Sequence, residues 1–198
     1  MNTFATAHED HLIPDLVATN LDLVVQENAR LVARLDPDRF RPVPRLIDDA
    51  WALYFTGAGR SGLVMKAAAM RMMHLGRTAH VVGESTTPAI TEGCLLWAAS
   101  GSGTTPGVLR TAREALDTGA RVLAFTTDPT SPLAAVATHT VVLPAPAKQS
   151  PDQAASRQFA GSLFEQSLLL TTDALFHTLT QLQGEEHGQL WSRHSNLE

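Results

Sequence analysis

One cysteine, Cys94, is all that 198 residues contain, so no disulfide can close within the chain. A lone thiol at the head of an apolar run reads as a buried side chain; a nucleophile would need a neighbouring base and an electropositive setting. No run of Lys or Arg occurs, and 15 basic against 20 acidic residues leave a formal charge of -5. Both features argue against nucleic acid as a partner. No apolar stretch approaches membrane-spanning length, which speaks against a membrane role. The opening MNTFATAHEDH lacks a basic segment followed by an apolar one, so no secretory signal is expected and the cytoplasm is the expected compartment. His8 and His11 stand three apart without a supporting Cys or His cluster. His74, His80, His139 and His177 form no ligand spacing either, and no metal is expected. There is no internal repeat.

What the chain does have is an ordinary globular composition, 44% hydrophobic and 18% charged, at a length suited to one domain. Residues 3–35 predict a helix, with Leu12, Leu16, Leu23, Leu31 and Leu35 near the helical period and Pro14 near its start. Pro37, Pro42 and Pro44 exclude an unbroken helix over 36–44. Residues 1–50 are therefore read as a helical segment of the same domain that occupies 51–198. From Trp51 onward short apolar runs alternate with helical stretches. Strands are expected at 51–56, 78–82, 94–99, 121–126 and 139–143. Helices are expected near 61–75, 106–118 and 131–137, with a turn or short helix at 87–92. Strands without polar alternation are buried on both faces, and intervening helices imply right-handed parallel crossovers. The fold class is α/β, with five parallel strands and ligands expected at their carboxyl ends. Pro144, Pro146 and Pro151 mark a loop, an amphipathic helix follows over 162–183, and Trp191 to Glu198 form a polar tail.

Two glycine loops follow strands. Gly57-Ala58-Gly59-Arg60-Ser61-Gly62 fits the dinucleotide pattern G-x-G-x-x-G, and Glu84 stands roughly where a ribose-binding acid belongs. The same glycines also suit a tight turn that lets strand and helix approach closely. Ser100-Gly101-Ser102-Gly103-Thr104-Thr105 is the second loop, and Pro106 can start the helix after it. Glycines let N–H groups converge, hydroxyls add donors, and a helix N-terminus carries positive partial charge. Such a loop can seat a phosphate without lysine or metal, and it lacks the Walker pattern. A solvated Ser/Gly turn is the plain alternative.

At these residues the chain resembles the sugar isomerase (SIS) domain family, and within it the 6-phospho-3-hexuloisomerases. The resemblance rests on GAGRSGLV (57–64), AMRMMHLG (69–76), VVGESTTPAI (81–90), SGSGTT (100–105), GSLFEQ (161–166) and RHSNLE (193–198). It implies a flavodoxin-like three-layer sandwich, a homotetramer, and neither metal nor organic cofactor. It also implies a reaction on a phosphorylated sugar, the interconversion of D-arabino-hex-3-ulose 6-phosphate and D-fructose 6-phosphate, the second step of formaldehyde fixation through ribulose monophosphate. Thr104 stands where relatives carry Glu, which implies a lost carboxylate beside the substrate. Gln158-Phe159-Ala160-Gly161 departs from a proline-containing stretch.

Moving a carbonyl between adjacent carbons needs a base that removes and returns a proton, and donors for the developing oxyanion. The resemblance implies Glu165 as that base. By local rules alone Ser162-x-x-Glu165 reads as a capping box. His194 is implied as a second catalytic group at a subunit boundary, where local rules give a frayed tail. Gly59, Arg60, Ser61, Glu84 and Thr86 join Ser100 to Thr105 as substrate-binding candidates, with Arg60 offering its fork of donors to the phosphate or the enediolate. A surface ion pair is the plain reading of Arg60. A sugar-phosphate sensor without catalysis, an isomerase of another sugar phosphate and a dinucleotide-dependent oxidoreductase are the alternatives.

Overall fold

A computed structural model of the chain describes residues 10–146 and 156–197. Five parallel strands, β1 (Leu53–Gly57), β2 (Ala79–Val81), β3 (Leu95–Ala99), β4 (Arg121–Thr126) and β5 (His139–Val142), lie in the order β2-β1-β3-β4-β5. All five side chains of β3 are buried, which is why its run shows no polar alternation. The first strand starts two residues later than expected. Trp51 is exposed and lies along the neighbouring turn, its N–H bonded to the Gly93 carbonyl and its Nε1–H to that of Glu92.

The helices are α1 (Ile13–Val32), α2 (Val43–Asp48), α3 (Gly59–His74), α4 (Pro106–Asp117), α5 (Pro132–Val136), α6 (Ser162–Gln183) and α7 (His187–Ser192). Prolines stand in the first turn of α1, α2, α4 and α5, where an absent N–H leaves no bond unmade. The period-two alternation of the strands divides the core. Leu53, Phe55, Trp97, Leu123 and Phe125 face α3 and α6, together with Val43 and Ile47 of α2. Tyr54, Leu96, Ala98, Val122 and Ala124 face α4 and α5. Helix, sheet and helix make three layers.

Other expectations change in detail. α1 begins at Ile13 after a 3-10 turn at Asp10–Leu12 and ends at Val32; residues 3–9, His8 among them, lie outside the described residues, as does Pro151. Residues 87–92 form no helix: the segment is irregular up to a turn at Glu92, and Thr87 donates its hydroxyl to the Val81 carbonyl. The polar tail is structured in part. α7 opens on a capping box between Glu186 and Gln189, and Arg193 donates to the His74 carbonyl and the Glu185 carboxylate, both at 3.1 Å. Trp191, His194 and His74 stack at ring separations of 5.1 and 5.2 Å. Burial, with His194 and Arg71 nearby, holds His74 below the usual histidine range. No helix among the described residues is long and apolar enough to cross a membrane.

Candidate active site

In the order β2-β1-β3, the chain leaves β1 toward one edge of the sheet and reaches the other side of β1 with β3. The loops after these two strands therefore part at their carboxyl ends, where open α/β sheets form a crevice. A cleft of about 450 Å³ lies there, lined by the first loop, the second loop and the lead-in to α6. That volume suits a single small molecule.

The first loop turns strand into helix without an intervening spacer. A β-carbon on Gly62 would stand 2.7 Å from the Gly57 carbonyl oxygen, so only glycine lets α3 start so close to the end of β1. This geometry puts Gly59, Arg60 and Ser61 on the cleft wall.

The second loop has the makings of an anion seat. Ser100 is buried, its N–H bonded to Phe125 and its hydroxyl 2.8 Å from that of Thr105. The Gly101 carbonyl is turned away from the cleft by the hydroxyls of Thr126 and Thr127 and by the Thr127 N–H. The N–H groups of Gly101, Ser102 and Thr105 have no acceptor among the described residues. Three amides beside the N-terminus of α4 are thus left for a ligand's oxygens.

Across the cleft, α6 starts at Ser162 with no side-chain cap. The capping box expected from Ser162-x-x-Glu165 does not form. The Ser162 N–H is taken by the Phe159 carbonyl, and the Glu165 carboxylate pairs with Arg60 at 3.2 Å. Arg60 also donates to the Ser162 hydroxyl at 3.1 Å. The Glu165 side chain is 18% exposed against 58% for Arg60, so the carboxylate is the sheltered partner. They are the two ionisable groups lining the cleft among the described residues.

Of the candidate residues, Gly59, Arg60, Ser61, Ser100, Gly101, Ser102, Thr105 and Glu165 line this one cleft. Gly103 and Thr104 do not. Gly103 is buried against Ser131, and the exposed Thr104 donates its hydroxyl to Ser102 Oγ at 2.9 Å. Glu84 is exposed and paired with Lys66, and Thr86 is exposed on the same turn, both outside the cleft lining. His194 stacks on His74, at the far end of α3, about 20 Å of helix away from Ser61. No group of three His, Cys, Asp or Glu side chains that could hold a metal occurs among the described residues.

Thr127, Phe159, Ala160, Ser162 and Phe164 also line the cleft. The carboxyl-end rule applied to β4 would have found Thr127. Phe164 is tied to the glycine pattern: a β-carbon on Gly101 would stand 3.2 Å from its ring. No local pattern marks the others.

The SIS domain family matches residues 46–170. The chain is 48% identical over 187 residues to a 3-hexulose-6-phosphate isomerase of Mycobacterium gastri, covering 94% of each chain. It is 41% identical over 147 residues to a protein of the same name from Bacillus subtilis, covering 74% of this chain and 80% of that one. A Methanococcus jannaschii protein, for which the crystal structure infers the function of a 3-hexulose-6-phosphate isomerase, superposes with a TM-score of 0.78 at 27% identity, covering 91% of this chain and 99% of that one.

Proposed function

The chain belongs to the SIS domain family and, within it, to the 3-hexulose-6-phosphate isomerases, and from that premise we propose that its cleft interconverts D-arabino-hex-3-ulose 6-phosphate and D-fructose 6-phosphate. The observation that carries this reading is that the second-loop amides without an acceptor among the described residues and the sheltered Glu165 carboxylate border one cavity.

The chemistry follows from what each group can do. The Gly101, Ser102 and Thr105 amides and the hydroxyls of Ser100, Ser102 and Thr105 hold the phosphate at the start of α4. Anchored by C6, the sugar lies with its reacting carbons toward α6. Glu165 removes the proton from C2 of the hexulose, the C–H electrons form the C2=C3 bond, and the C3 carbonyl oxygen takes up a proton to give an enediol. Loss of the O2 proton, with return of a proton to C3, yields the C2 ketone of fructose 6-phosphate. Arg60 lies beside this carboxylate and supplies positive charge to the oxygen that becomes anionic. His194 belongs to this reading as a group delivered by a second copy of the chain, since its own cleft is a helix length away. Exposed Leu16, Val17, Leu21 and Val25 on α1 and Leu169 and Leu170 on α6 suit burial in a homotetramer.

The test is to give purified protein D-arabino-hex-3-ulose 6-phosphate and follow fructose 6-phosphate by a coupled assay. Turnover is expected without added metal or nucleotide. Folded protein that leaves the hexulose phosphate unchanged would refute the assignment.

A further inference from the structure

Glu27 lies on α1, more than a hundred residues from α6, yet it is buried. Its carboxylate accepts from Ser156 Oγ at 2.6 Å, the Arg157 N–H at 2.8 Å and Gln158 Nε2 at 3.0 Å. The next residue extends the grip. Asn28 Nδ2 donates to Gln166 Oε1 at 2.6 Å, and Gln166 Nε2 donates to Gln158 Oε1 at 2.7 Å. One turn of α1 thus holds both the lead-in to α6 and the residue after Glu165.

The lead-in needs holding. Ala160 has φ 51, a left-handed conformation that an L side chain keeps when its surroundings over-determine it. Either side of Ala160 are the contacts that set the base: Phe159 O accepts the Ser162 N–H and hydroxyl, Gly161 O accepts the Glu165 N–H, and the Ser162 hydroxyl receives Arg60. We propose that Glu27 is a positioning residue for the isomerisation: by clamping residues 156–158 it keeps the strained lead-in in the one arrangement that aims Glu165 into the cleft.

The role calls for a carboxylate. Three donors converge on it, and a carboxylate offers acceptors alone, whereas an amide would turn N–H groups toward N–H groups. Burial pushes the Glu27 carboxyl up, but the donors from Ser156, Arg157 and Gln158, with Arg30 nearby, more than offset this and hold it below the usual carboxylate range.

The proposal rests on Glu165 being the base of the hexulose-phosphate reaction, and the experiment separates the two. Wild type, Glu27→Gln and Glu27→Gln/Ala160→Gly are compared for kcat, KM and hydrogen exchange across residues 156–166. In Glu27→Gln, kcat is expected to fall at least about tenfold while KM stays within about threefold, because displacement of the base leaves the seat on other elements intact. Exchange at Gly161–Glu165 speeds up while the global melting transition remains cooperative. Glycine at 160 adopts the lead-in conformation without the clamp, so the double variant regains at least about threefold in kcat. Unchanged kcat, an effect on KM alone, or a double variant no better than the single one overturns the positioning role. Should Glu27→Gln not fold, Glu27→Asp, which keeps the charge on a shorter arm, is read by the same criteria. A wild-type protein inactive on the hexulose phosphate removes the reaction and the positioning role with it, whereas unchanged exchange in an active enzyme overturns the clamp alone.

Discussion

Gly103→Ala probes how the second loop is built. Gly103 has φ +62, and a β-carbon there would stand 2.1 Å from Ser131 Oγ and 2.3 Å from Ser131 Cβ. The left-handed conformation alone costs an L residue about 1–2 kcal/mol. The overlap cannot be absorbed in place, so Ser131 must turn or the loop must shift. Ser131 caps α5, its Oγ accepting the Ala134 N–H at 3.3 Å, and loss of a cap costs about 1 kcal/mol. Repacking a filled site adds about 1–3 kcal/mol, which brings the total to about 3–6 kcal/mol. Gly184 is the control. It has φ +64 at the end of α6 with nothing among the described residues within 4 Å of a β-carbon, so Gly184→Ala carries the conformational part alone, about 1–2 kcal/mol. Urea titrations of the two variants are expected to differ by at least about 2 kcal/mol. A shifted Gly103 also disturbs the amides of Ser102 and Thr105, so KM for a phosphorylated sugar rises in Gly103→Ala and not in Gly184→Ala. Equal losses of stability would refute the packing argument.

Two further outcomes are expected. Arg60→Gln removes the charge-assisted partner of the proposed base, worth about 1.5–3 kcal/mol, and should lower kcat/KM about ten- to hundredfold; steady-state kinetics with an unchanged rate would put the guanidinium outside the reaction. His74 has a depressed value in the fold, so its contribution to stability is full above its unfolded value of 6.5 and declines as pH falls through the folded one. The melting temperature should drop between pH 7 and 5, less steeply in His74→Gln, and parallel slopes in the two proteins would contradict this.

The strands were legible because parallel strands buried on both faces spell out as uninterrupted apolar runs, as Leu95 to Ala99 do. α6 was legible because Gly184 stops a sustained apolar period. Features made by distant partners were not. Glu27 and Asn28 read as polar positions on an amphipathic helix, and their burial depends on residues 156–166 folding over them. Ser162 and Glu165 match a local capping rule, but Arg60, from a loop a hundred residues earlier, takes the carboxylate. α7 is short and polar, and its place depends on Arg193 reaching Glu185 and the carbonyl of His74. The motif that points to His194 carries no information about which end of α3 receives it.

In the proposed reaction Glu165 exchanges a proton at the carbon next to a ketone, on a sugar held by its phosphate. Proton NMR of fructose 6-phosphate incubated with the protein in D2O reads that exchange. The signal of the C3 proton should fade with wild type, and its loss should slow by about 10²–10⁴-fold with Glu165→Gln. Loss of a C1 proton in place of the C3 proton, or exchange by Glu165→Gln at the wild-type rate, would contradict it.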